Sequence, residues 1–287
     1  MSKLKIDNLF FMKNERKHTI GIFDSGFGGL TILKEIKKKL PEYSYIYLGD
    51  NARAPYGTRS FETVYKYTLE AVKKLFELDC ELIIIACNTA SAKALRSIQQ
   101  NDLKAIGGTK KVLGILRPCT EQAQNFTTNN NLGIFATKGT VLSQSYEIEI
   151  SKFFPQITVT SNACPMWVPL VENGEAESDG ADFFIKKEIN NILTKNSNID
   201  SILLGCTHYP LLQNKIRKFL PQHISIINQG NIVANSLSNY LEKHPEIEEK
   251  LIKNNSITYY TTDCNENFDK IGSSFMQENI ISRKLAL

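Results

Sequence analysis

Three short aliphatic runs constrain this chain more than any other feature: TIGIF (residues 19–23), ELIIIAC (81–87) and SILLGC (201–206). None alternates apolar with polar residues, so each reads as a strand buried on both faces. Stretches of helical spacing lie between them. Leu30, Ile32, Leu33, Ile36 and Leu40 recur at helical intervals before Pro41, and Phe61 to Leu78 reads as a long amphipathic helix. YSYIYLGD (43–50) is a further strand. The last strand candidates, ISIINQG (224–230) and SITYYTT (256–262), are both expected to rejoin the first part of the chain. Doubly buried strands alternating with helices predict an α/β fold with mainly parallel sheets.

The runs also repeat. IGIFDSGFG (20–28) matches LGIFATKGT (132–140) at an offset of 112, and the cysteines that end the other two runs, Cys87 and Cys206, are offset by 119. Two similar offsets in the same order predict two related α/β lobes. At 287 residues the chain is long enough for two domains. The expected division places residues 1–113 and 226–287 in the first lobe and 114–225 in the second. Residues 1–18 are read as an extension ahead of the first strand.

Composition excludes several classes. The longest aliphatic run, Leu82 to Cys87, is far short of the roughly 20 residues that span a bilayer. Charges at Lys13, Glu15 and Arg16 follow LFFM (9–12) at once, which argues against an export signal. The net charge is only +4, and Lys37 to Lys39 read as a solvated helix face, so no nucleic-acid partner is expected. Six cysteines without a C-x-x-C pair suggest free thiols and a reducing cytoplasm.

Polar clusters stand at the carboxyl ends of the strands, where open parallel sheets bind ligands: Asp24-Ser25, Cys87-Asn88-Thr89, Thr137 to Thr140 and Cys206-Thr207-His208. Two lobes facing across a cleft would bring one thiol to each side of a bound molecule. That arrangement suits inversion of a carbon stereocentre, with one thiolate removing a proton and the opposite thiol returning one. A free thiol titrates near 8.5, so each needs a partner: Asp24 for Cys87, and His208 with an acidic neighbour for Cys206. A lone cysteine on an apolar strand is ordinarily packing, and Cys80, Cys119, Cys164 and Cys264 are read that way. GFGGLT (26–31) lacks the third glycine of a dinucleotide loop, and Asp24 would repel pyrophosphate. Zinc held by Cys87, Cys206 and His208 is conceivable, although nothing shows ligand-pair spacing.

IGIFDSGFGGL, YLGDNARAPYGTRS, IIACNTASA, ATKGTV, VPLVENGE and LLGCTHYPLL, in this order, resemble the cofactor-independent aspartate/glutamate racemase family, on its glutamate branch. The resemblance implies two α/β lobes with the active site between them, no cofactor and no metal. By the same resemblance Cys87 takes the proton from D-glutamate and Cys206 from L-glutamate. Asp24 assists the first thiol; Glu172 and His208 assist the second. Asp24, Ser25, Pro55, Tyr56, Gly57, Asn88, Thr89, Thr137, Thr140, Thr207 and His208 fall on substrate-contact positions. The implied partners are L- and D-glutamate, with a UDP-N-acetylmuramoyl-L-alanine activator and a homodimer as further expectations. The implied role is to supply D-glutamate for peptidoglycan. A racemase of aspartate or another amino acid, and a two-lobed ligand-binding protein without chemistry, are the alternatives.

Overall fold

The computed structural model describes residues 17–287. Residues 1–16 of the expected extension lie outside the described residues. His18 already pairs with Leu251 and belongs to the folded chain.

Among the described residues ten strands form two sheets, and every strand pairing there is parallel. In chain order they are β1 (Thr19–Asp24), β2 (Tyr45–Gly49), β3 (Cys80–Ile85), β4 (Lys111–Gly114), β5 (Asn131–Ala136), β6 (Thr158–Ala163), β7 (Ser201–Gly205), β8 (Ser225–Ile227), β9 (Ile257–Thr261) and β10 (Ser282–Lys284). The first sheet has the order β10-β9-β2-β1-β3-β4 and the second β6-β5-β7-β8. The segment β2-β1-β3-β4 is thus repeated strand for strand by β6-β5-β7-β8. The repeat expected from the sequence is a repeat of topology.

One strand is reassigned. ISIINQG was expected to complete the first lobe, but β8 pairs with β7 through Ser201↔Ser225 and Ile202↔Ile226. The second sheet needs β8 as the counterpart of β4. SITYYTT does return to the first sheet, as β9 beside β2.

The central strands are buried because both faces are covered. Every residue of β3 and β7 is buried, as are five of the six in β1. Helix Leu30–Lys39 turns Leu30, Ile32, Leu33 and Ile36 into the core. Helix Phe61–Glu77 buries Val64, Ala71, Val72, Leu75 and Phe76. The Ser60 hydroxyl accepts the Thr63 N–H at 3.1 Å and so satisfies one free donor at that helix's start. Helix Gln229–Lys243 lies along helix Leu30–Lys39 and also reaches β7, linking the two sheets. Among the described residues no helix is long and apolar enough to cross a membrane.

Candidate active site

Strand direction places the site. In both sheets the carboxyl ends of two neighbouring inner strands, β1 and β3 in one and β5 and β7 in the other, carry residues toward one cavity of about 120 Å³. Ser25, Pro55, Tyr56, Gly57, Cys87, Asn88, Thr89, Thr137, Glu172, Cys206, Thr207 and His208 all line it. Of the candidates from sequence, Asp24 and Thr140 are not on its wall.

Cys87 sits where β3 gives way to helix Asn88–Lys93. It occupies the N-cap, and its sulfur accepts the Ala90 N–H at 3.5 Å. The Ser25 hydroxyl lies 3.4 Å from the same sulfur. Asp24 is fully buried behind this pair. The Gly26 N–H donates to Asp24 Oδ2 at 2.8 Å, while Asp24 Oδ1 has no hydrogen-bond partner. Burial pushes the Asp24 carboxyl above the usual range, against the His208 charge and the Gly26 and Gly29 N–H groups. Burial, together with the Asp24 charge, pushes the Cys87 thiol up to about 12. The Ser25 hydroxyl and the Ala90 N–H oppose that rise. At neutral pH Cys87 is therefore a thiol.

The Cys206 side has the opposite electrostatics. Cys206 follows β7, and His208 Nδ1 lies 3.9 Å from its sulfur. The other ring nitrogen, Nε2, lies 2.9 Å from Glu172 Oε1. Burial alone would hold His208 neutral, but hydrogen bonds to Cys206 and Glu172 outweigh it and carry the imidazole up to about 10. His208 is then an imidazolium at neutral pH, donating to Glu172 from Nε2 and facing the sulfur with Nδ1–H. Glu172 reaches this position from the end of helix Trp167–Glu172.

Gly28 permits this packing. A Cβ there would overlap the Thr207 hydroxyl oxygen and come within 2.5 Å of His208 Nδ1. The turn after β1 therefore presses directly on the Cys206-Thr207-His208 segment. Tyr47 holds the same turn from beneath, donating its hydroxyl to the Gly26 carbonyl at 2.8 Å.

Three hydroxyls meet where the sheets face each other. Thr89 Oγ1 is 2.9 Å from Thr137 Oγ1 and 3.3 Å from Thr140 Oγ1, and the latter two are 3.1 Å apart. Thr140 thus stands one layer behind the wall, against Thr137, which also caps helix Lys138–Ser143. Beside them, with Gly57 packed against Thr137, the loop carrying Pro55, Tyr56 and Gly57 is anchored on buried Asp50. That carboxylate accepts from the Tyr56 hydroxyl, from Arg53 Nε at 2.7 Å and from the Thr262 hydroxyl at 2.8 Å.

Further lining residues escaped the sequence reading, among them Thr58, Val168 and Cys164. Cys164 was read as packing. It is buried, yet it also forms part of the cavity wall. A polar edge strand precedes it, so no aliphatic run marks its position. Cys264, also read as packing, is exposed and hydrogen-bonds to Glu266 at 2.7 Å. Among the described residues no group of three or more His, Cys, Asp or Glu side chains is placed to hold a metal ion.

Comparison with known proteins points the same way as the geometry. The sequence pattern of the Asp/Glu/hydantoin racemase family matches residues 30–237. A glutamate racemase of Enterococcus faecalis is 36% identical over 272 residues, covering 94% of this chain and 97% of its own. The crystal structure of a glutamate racemase isoform from Bacillus anthracis superposes with a TM-score of 0.85 at 31% identity, over 95% of this chain and 98% of that one. A glutamate racemase from Francisella tularensis, crystallised in complex with D-glutamate, gives 0.83 at 32% identity, over 94% and 98%.

Proposed function

Since the chain belongs to the Asp/Glu/hydantoin racemase family, we propose that it inverts its substrate by proton transfer between Cys87 and Cys206, with the two sulfurs flanking Cα. Its reaction is the interconversion of L- and D-glutamate, which supplies D-glutamate for peptidoglycan. The observation that carries the two-thiol reading is the pairing of partners around one cavity. A thiol backed by Asp24 and Ser25 comes from the end of one sheet, and a thiol backed by His208 and Glu172 from the corresponding end of the other.

The partners assign an order to the steps. His208 faces the Cys206 sulfur with Nδ1, so Cys206 is assigned as the base toward L-glutamate. It removes the Cα proton of L-glutamate, forming S–H and leaving the electron pair on Cα. The Cys87 thiol then delivers its proton to the opposite face, giving D-glutamate and a Cys87 thiolate. In the reverse direction Cys87 first gives its proton to Asp24, and Cys206 takes one from the His208 imidazolium. The Cys87 thiolate then removes the Cα proton of D-glutamate, and the Cys206 thiol protonates the opposite face to give L-glutamate. Hydroxyls of Thr89, Thr137 and Thr207 and the Asn88 amide supply donors to the substrate's carboxylates and to charge developing beside Cα. Holding Cα between two fixed groups supplies the orientation term.

The six free cysteines fit a reducing compartment, and we place the protein in the cytoplasm. The test is incubation with L-glutamate in deuterated water without added cofactor, following optical rotation and Cα deuteration together. Both signals should change in step. Loss of rotation without deuterium at Cα would rule out proton transfer through exchangeable thiols.

A further inference from the structure

Asn88 lines the cavity immediately after Cys87, yet its side chain is held by residues outside the site. Its Nδ2 donates to Gln229 Oε1 at 2.8 Å, Gln229 Nε2 donates to the Tyr146 hydroxyl at 2.6 Å, and that hydroxyl donates to Asn88 Oδ1 at 2.7 Å. The three side chains close a ring in which each group donates once and accepts once. All three are buried, at 2%, 2% and 1% exposure for Asn88, Gln229 and Tyr146. Gln229 Nε2 also lies 3.5 Å from the Cys119 sulfur. The assigned orientation, with Gln229 Nε2 toward Cys119, sets the sense of the ring and with it the donor role of Asn88. In that sense Asn88 spends one amide hydrogen and one acceptor position on the ring, and one amide hydrogen stays uncommitted.

The ring joins distant parts of the chain. Asn88 follows β3 of the first sheet, Tyr146 lies on helix Ser145–Phe153 after β5 of the second, and Gln229 opens the helix after β8. We propose that Tyr146 and Gln229 are positioning residues that fix the Asn88 amide as a hydrogen-bond donor to a substrate carboxylate, and that this donor is set only when the two sheets hold their observed relation. A buried polar group in low dielectric rotates to whatever partner is available. Without the ring, Asn88 is free to turn its carbonyl oxygen toward the cavity, where it would face an anionic substrate. The inference rests on the glutamate reading of the site.

The test is Tyr146→Phe, which deletes one oxygen and opens the ring. KM for both enantiomers should rise about tenfold or more, the scale of a lost hydrogen bond to a charged group, with kcat within about threefold. A role in folding alone would lower the melting temperature and leave KM unchanged, and that outcome overturns the proposal. The change is then repeated in an Asn88→Ala background. Action through Asn88 means no further rise in KM there, and an additive rise overturns the proposal. Should Tyr146→Phe fail to fold, Gln229→Leu serves in the same two backgrounds. Calorimetric binding of D-glutamate reads the same contrast without turnover. Wild-type protein that binds D-glutamate but does not racemise it would therefore sink the reading of the reaction and still leave the ring tested.

Discussion

His208 is held between two partners: Glu172 Oε1 lies 2.9 Å from one ring nitrogen and the Cys206 sulfur 3.9 Å from the other. The pairing sets a pH window. The imidazole titrates at about 10 in the folded protein, above its ordinary 6.5. The stability it contributes is present in full below about 6.5 and is lost as the pH rises toward 10. Activity that needs the imidazolium beside Cys206 is lost over the upper part of that range. Glu172→Gln should therefore move the alkaline limb of kcat/KM for L-glutamate to lower pH by about one unit or more. It should also flatten the fall in melting temperature between pH 6.5 and 9.5. An unmoved alkaline limb would show that Glu172 does not act through His208.

Asp24→Asn separates catalysis from stability. The Asp24 carboxyl is harder to ionise in the folded protein than in the unfolded chain, so above its ordinary 3.8 it costs stability as the pH rises. The neutral amide removes that cost. Calorimetry at pH 7 should find a melting temperature equal to or above wild type. Turnover of D-glutamate should meanwhile fall about 10²-fold or more, the range of a lost general base. A variant that is both less stable and fully active would contradict the assignment.

Gly28→Ala adds a single methyl group where the wall has no room for it. The methyl would overlap the Thr207 hydroxyl oxygen and approach His208 Nδ1 to 2.5 Å. Something must move, and both neighbours belong to the segment that carries Cys206. Catalysis is sensitive to displacements of about 1 Å, on the order of 10²-fold. Steady-state kinetics should show kcat/KM reduced by roughly that factor. Near-wild-type kinetics would mean that the turn yields without disturbing the thiol.

Cys87→Ser and Cys206→Ser should each abolish net racemisation, since a hydroxyl is a far weaker acid than a thiol and cannot replace it at either step. Far-UV circular dichroism should stay unchanged in both. Among the six cysteines only Cys264 is exposed. A thiol reagent should modify it first, with no loss of turnover, and inactivation should track the slower reaction of the buried thiols. Inactivation in step with the first thiol modified would place a catalytic sulfur at the surface.

Much of this arrangement was legible because two buried strands in each half leave aliphatic runs that end in reactive residues. Cys87, Cys206, Ser25 and His208 could be placed around one cleft before any coordinates, since each parallel sheet delivers its carboxyl ends to one edge. The strands β4, β6 and β10 left no such trace. KVLG, TVTSNA and SRK lie at sheet edges, open to solvent on at least one side, and so carry polar residues. The reassignment of β8 has a related cause, because three residues of aliphatic character do not say which sheet has a free edge.

The sequence by itself determined the chain's α/β class, its internal repeat and the pairing of two thiols with unlike neighbours, because burial on both faces and strand-end chemistry are local properties. Only the tertiary structure decided that Asp24 and Thr140 stand behind the cavity wall, that Cys164 forms part of it, and that Asn88 is held by Tyr146 and Gln229 from 58 and 141 residues away. A side-chain hydrogen bond between distant segments depends on how helices dock across two sheets. No periodicity in the chain records that docking.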